Sequence, residues 1–224
     1  NRQRNADFEA IEAIRSKLLN DETPISKFDF GAGTRTRIKT KSLKNIAATS
    51  LSSQKKARLL FNIVQYLKCE TIIEIGSSLG ISTAYLASAN KNASVYSLEG
   101  NLDLIRLAKK TAFQLNLTNI KFIDGNFDDT LPRLLQTLNS KIDFVYLDGN
   151  HRFSPTLRYF EMLLPNLHQN SILVVDDIYW SEEMTQAWQK VINRTGVTLT
   201  VNLFECGMVF FSDKYSKRNF TLKF

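Results

Sequence analysis

The chain has 224 residues, 43% of them hydrophobic and 11% aromatic, which suffices for one α/β domain with an appendage and a full core. No apolar run approaches the roughly 18 residues of a membrane span, and the two cysteines, Cys69 and Cys206, give neither a disulfide framework nor metal spacing, so a cytoplasmic protein with reduced, packed thiols is expected. The formal charge of +7 sits in the flanks: residues 1–56 carry 12 Lys/Arg against 6 Asp/Glu and residues 213–224 carry 4 against 1, whereas residues 57–212 carry 13 against 15.

The chain opens on Asn1 rather than Met and shows no signal-peptide pattern, as a trimmed chain would. Phe8, Ile11, Ile14, Leu18 and Leu19 fall at helical spacing, which predicts an amphipathic helix over 6–19, ending before Asn20-Asp-Glu-Thr-Pro24. From Gly31 to Lys56 there are seven basic residues and no acid. This stretch is either a solvated face or an approach in which Arg35, Arg37, Lys39 and Lys41 meet an anionic substrate or an anionic membrane surface. Nucleic acid is disfavoured, because no aromatics are interleaved as a stacking platform. Asp29-Phe-Gly-Ala-Gly-Thr34 imitates a nucleotide-binding glycine motif, but no apolar strand precedes it and Thr34-Arg-Thr-Arg37 replaces the helix that should follow. It reads as a mobile loop or lid. Ser53 then caps a helix whose apolar face is Leu59, Leu60, Ile63, Val64 and Leu67.

Thr71-Ile-Ile-Glu-Ile-Gly-Ser-Ser-Leu-Gly-Ile-Ser-Thr83 is the centre of the pattern: a short apolar strand to Ile75, a turn from Gly76 to Gly80, and a helix starting near Ser82. Glycines admit a close ligand there, and unpaired amides at the helix start favour negative charge. Ser94–Leu98 is a second strand, with Glu99 after it. A helix over Leu102–Leu115, a strand over Asn119–Ile123, a helix over Leu131–Leu138, a strand over Ile142–Leu147 and a helix over Thr156–Leu164 follow. Ser171–Val175 is a strand, Glu182–Ile192 a helix, and Val197–Phe204 with Gly207–Phe211 a closing hairpin. Alternating strands and helices imply a mostly parallel sheet with right-handed crossovers.

The run Glu74-x-Gly76-x-x-x-Gly80-x-Ser82, followed by Glu99 at the end of the next strand, resembles the class I S-adenosylmethionine-dependent methyltransferases, within them the catechol O-methyltransferase-like branch. The resemblance covers about residues 53–212. It implies a Rossmann-like α/β fold with seven strands in the order 3-2-1-4-5-7-6, the last strand antiparallel, so that residues 53–224 form the cofactor-binding domain and 1–52 a helical or lid extension. By that resemblance Glu74, Gly76, Ser77, Ser78 and Gly80 shape the cofactor turn. Ser82 meets the methionyl carboxylate, Glu99 the ribose, and Gly125, Asn126 and Phe127 the adenine. Gly100 after Glu99, and the acids Asp128 and Asp129, depart from the usual pattern.

Residues just beyond the strands are acidic, which calls for a counter-charge. Val145-Tyr-Leu-Asp148-Gly-Asn-His151 and Leu173-Val-Val-Asp176-Asp177 resemble metal-dependent O-methyltransferases of the D-x-x-H type. That likeness implies Asp148, Asp176 and Asp177 as ligands of Mg2+ or Mn2+, with Asp148 also beside the cofactor and His151 as general base. In plainer roles, Asp176 and Asp177 cap a helix, Asp148 stabilises a turn, and His151 lies on the surface; His168 is expected to be structural. The expected activity is methylation of a hydroxyl on a small hydroxylated or acidic molecule. Metal-free methyl transfer and a non-catalytic anion- or membrane-binding module are the alternatives. Phe153, Tyr179, Trp180 and Met184 are candidates for an aromatic pocket wall.

Overall fold

A computed structural model describes residues 2–27, 39–214 and 216–223. The chain opens with helix α1 (Arg2–Leu18), a hairpin of β1 (Pro24–Lys27) and β2 (Lys39–Ser42), and helices α2 (Leu43–Ser50) and α3 (Gln54–Leu67). The expected loop at Asp29–Thr34, with Arg35 and Arg37, lies outside the described residues; Lys39 and Lys41 fall in β2. Helix α2 was not expected. Ser42 caps it by accepting from the Asn45 amide, and Leu43, Ile46 and Ala47 form its buried face. Ser53 does cap α3, accepting from the Lys56 amide.

The alternating part runs β3 (Thr71–Ile75), α4 (Ile81–Ala89), β4 (Ser94–Glu99), α5 (Leu102–Gln114), β5 (Ile120–Asp124), α6 (Phe127–Thr137), β6 (Ile142–Leu147), α7 (Phe153–Leu163), β7 (Leu167–Asp176) and α8 (Glu182–Asn193). Strands β8 (Leu199–Asn202), β9 (Cys206–Phe210) and β10 (Arg218–Thr221) close the chain. Hydrogen bonding orders eight strands β10-β8-β9-β7-β6-β3-β4-β5. The inner seven reproduce the expected order, with β9 antiparallel to β7 and β8. The addition is β10, parallel to β8 and exposed at all four residues. Helix α6 starts four residues before its expected start at Leu131 and carries Pro132 within it.

Contacts group the chain into two compact units. One holds residues 1–70 and 77–127. In it Phe8 of α1 meets Phe61 of α3 edge-on, centroids 4.8 Å apart, and lies 5.1 Å from Tyr85 of α4. The Tyr85 hydroxyl donates to Glu12 at 2.9 Å. Burial, and then the Glu12 carboxylate, push its pKa up to about 12. Strands β4 and β5 pair in parallel and end level, Glu99 opposite Asp124.

The other unit holds residues 71–76 and 128–224. Every residue of β3 is buried, as a parallel strand covered on both faces requires. Registers Ile75↔Leu147 and Leu147↔Val175 make β3, β6 and β7 end together, so Gly76, Asp148 and Asp176 emerge at one edge. At the opposite end His168 faces Asp143 at 2.9 Å while Asp143 accepts the Thr71 amide, the structural role expected of His168. Cys69 and Cys206 are buried thiols that are not joined in a disulfide. No helix among the described residues is long and apolar enough to cross a membrane.

Candidate active site

In the first unit, Gly80 has φ +80° and caps α4. A Cβ there would stand 2.8 Å from the Ala108 Cα, so only glycine lets the head of α4 press against α5. Ser77 is buried and its amide donates to the Leu98 carbonyl. Ser78 takes the left-handed conformation at φ +46°, and its amide donates to Glu99 Oε2 at 2.8 Å. The Asn101 amide donates to Glu99 Oε1 at 2.9 Å. Both oxygens of this buried carboxylate are thus held by backbone amides of the loops around it. Asn101, absent from the sequence reading, is also the cap of α5, accepting from the Asp103 and Leu104 amides. Ser82 is buried in the first turn of α4. The Gly125 amide donates to the Glu99 carbonyl, which sets Asn126 and Phe127, both half-buried, at the head of α6.

In the second unit, Glu74 is fully buried on β3 and Gly76 has φ +100°. A Cβ on Gly76 would collide with the Asp148 carbonyl oxygen, because the Asp148 amide is itself bonded to the Ile75 carbonyl at 2.9 Å. The imidazole of His151 has Nε2 3.5 Å from Asp148 Oδ1 and Nδ1 3.8 Å from Asp177 Oδ2. Asp176 is buried, and the Tyr146 hydroxyl donates to its Oδ2 at 2.8 Å. The structure brings Asp148 and Asp177 to either side of His151. Among the described residues no group of three or more His, Cys, Asp and Glu is arranged to hold a metal ion. The oxygen donors still suit a hard divalent cation in kind.

Other expected contributors divide. Asp128 is engaged by the Arg158 guanidinium through two bonds of 2.8 and 2.9 Å, a pairing that raises the Arg158 pKa. Tyr179 and Trp180 are exposed and Phe153 is half-buried, whereas Met184 is packed in the core against Thr156, which removes it from any pocket wall.

Residues 73–178, which include Glu74, the turn from Gly76 to Gly80, Glu99, Asp148, His151 and Asp177, match the family described as methyltransferase domain. The chain is 25% identical over 142 residues to a catechol O-methyltransferase of Niastella koreensis, covering 62% of this chain and 63% of that protein. It is also 25% identical over 134 residues to an uncharacterized protein of Acanthamoeba polyphaga mimivirus, covering 54% and 59%. The match thus spans about three fifths of the length of these curated relatives. In fold it resembles an O-methyltransferase of Bacillus cereus in complex with S-adenosylhomocysteine, with TM-score 0.66 and 16% identity over 92% of this chain and 90% of that one. It also resembles an O-methyltransferase of tomaymycin synthesis from Streptomyces achromogenes in complex with S-adenosylmethionine, with TM-score 0.65 and 18% identity over 73% and 82%. Over residues 73–178, a little under half of its length, the chain is thus similar to the methyltransferase domain family.

Proposed function

We propose that the chain methylates a hydroxyl of a small, hydroxylated molecule with S-adenosylmethionine as donor, His151 acting as general base. The observation that carries this reading is the imidazole within 4 Å of two carboxylates, on the loops that follow β6 and β7. Strand ends are where ligands meet an open α/β sheet. We assign residues 53–224 to the methyltransferase domain and 1–52 to an extension whose basic residues attract an anionic acceptor.

On the cofactor side, Gly76 and Gly80 with Ser77 and Ser78 bring backbone close to the methionyl part, and Ser82 at the head of α4 meets its carboxylate. Glu99 accepts from the ribose hydroxyls; Gly125, Asn126 and Phe127 face the adenine. On the acceptor side, neutral His151 takes the hydroxyl proton, and Asp148 and Asp177 stabilise the imidazolium that results. The oxygen bonds to the methyl carbon while the carbon–sulfur bond breaks, its electron pair passing to sulfur. The products are a methyl ether and S-adenosylhomocysteine. Holding the two reactants in line supplies up to roughly 7–11 kcal/mol of the lowering of the barrier. Asp148 and Asp177 would hold Mg2+ or Mn2+, with Asp176 behind them. When bound, such an ion acidifies the acceptor hydroxyl.

The test is transfer of labelled methyl from S-adenosylmethionine to a panel of phenolic, catecholic and sugar hydroxyls, with and without a chelator. Transfer lost on chelation and restored by Mg2+ supports the metal; transfer that survives chelation assigns the proton step to His151 alone. No transfer to any acceptor, together with an anion or lipid interaction lost when Arg35, Arg37, Lys39 and Lys41 are neutralised, would favour the non-catalytic module.

A further inference from the structure

We infer that Ser50, outside the matched methyltransferase region, is a positioning residue that latches the N-terminal extension onto the cofactor turn and makes cofactor affinity depend on the extension. This rests on the cofactor reading above.

The hydroxyls of Ser50 and Ser78 lie 2.8 Å apart. Either could donate by distance alone, but the Ser50 hydroxyl also donates to the Ile46 carbonyl at 2.8 Å. A hydroxyl has one proton. The Ser50 proton is therefore used within its own helix, and Ser78 is the donor across the gap. Ser78 is the residue whose amide holds Glu99, and it does so from a left-handed conformation that a residue with a Cβ adopts at a cost. An outside contact that fixes its side chain therefore helps to hold that conformation.

Helix α2, which carries Ser50, is itself anchored. Leu43, Ile46 and Ala47 are buried, the Leu43 and Lys44 amides donate to the Thr23 and Asp21 carbonyls, and Arg15 Nη1 of α1 donates to the Ser52 carbonyl at 2.7 Å. A continuous set of bonds thus leads from α1 through α2 to Ser78 and on to Glu99. If ligand binding at Glu99 favours the held form of the turn, it also favours the docked form of α2, and the coupling is reciprocal.

The test is calorimetric titration of S-adenosylhomocysteine into the full chain and its Ser50→Ala, Ser50→Thr, Ser78→Ala and double Ser50→Ala/Ser78→Ala variants, with amide hydrogen exchange across residues 43–52 read with and without ligand. Loss of the bond is expected to weaken binding about 3- to 10-fold in Ser50→Ala, with recovery in Ser50→Thr. The double variant should lose no more than the weaker of the two single variants. Ligand should slow exchange of α2 in the unaltered chain and not in Ser50→Ala. Equal affinities and equal protection in the unaltered chain and Ser50→Ala, with micromolar binding by both, would overturn the latch and leave the cofactor reading standing. Failure of the unaltered chain to bind would overturn both.

Discussion

Two candidate groups, Glu99 in the first unit and His151 in the second, are held to different standards of rigidity. Glu99 is 8% exposed and both its oxygens already accept backbone amides, at 2.8 and 2.9 Å, so its position is set before any ligand arrives. His151 has a side chain 29% exposed, and its distances of 3.5 and 3.8 Å to Asp148 and Asp177 are those of ion-pair neighbours rather than hydrogen bonds. The difference accords with the roles proposed. A cofactor that is the same at every turnover is met by a preorganised acceptor, while proton-transfer groups are often loosely arranged until substrate or metal closes them.

Breaking one side should leave the other intact, and the largest effect belongs to the loose side. His151→Ala is expected to lower kcat/KM by about 100- to 10,000-fold while S-adenosylhomocysteine affinity, read by calorimetry, stays within about 2-fold. Gly76→Ala probes the turn itself: the added methyl meets the Asp148 carbonyl at a φ only glycine adopts freely, and chemical denaturation should register a loss of roughly 2–4 kcal/mol. Glu99→Gln keeps shape but removes charge, and should weaken the same ligand about 10- to 100-fold with little change in turnover at saturation.

The smallest effect concerns the scaffold beneath the rigid side. Tyr85 has a pKa raised to about 12, so its contribution to stability is complete below the unfolded value near 10 and is lost as pH rises through 12. Urea unfolding should show the unaltered chain losing up to about 1.4 kcal/mol per pH unit more than Tyr85→Phe above pH 10. Parallel curves for the two proteins would remove the Tyr85–Glu12 pair from the account.

Legibility in the sequence follows the same division. The strand–glycine–helix turn, Glu99, and the level ends of the strands are written in local pattern: five apolar-flanked positions in β3, two glycines that need positive φ, and an acid at a strand end. The crossovers and the final hairpin gave a mostly parallel sheet with an antiparallel ending, and the order of its seven strands came from the resemblance to the methyltransferases. What escaped has no local signature. Strand β10 is exposed at every residue, so no alternation marks it. The two short strands β1 and β2 are Lys- and Ser-rich, and their pairing spans residues 24–42. Tyr146 and Asp176 are thirty positions apart, and only the register of β6 against β7 brings that hydroxyl to that carboxylate. Asp176 and Asp177 look equivalent in sequence. One is buried and accepts the Tyr146 hydroxyl, and the other, at φ +53°, faces His151.

The central claim is that the turn and Glu99 form a cofactor site. Titration of S-adenosylhomocysteine into the unaltered chain, with Glu99→Gln in parallel, tests it most directly. The account predicts micromolar binding by the unaltered chain and a loss of about 10-fold or more in the variant. Absence of binding at millimolar ligand, or equal affinity in the two proteins, would contradict it.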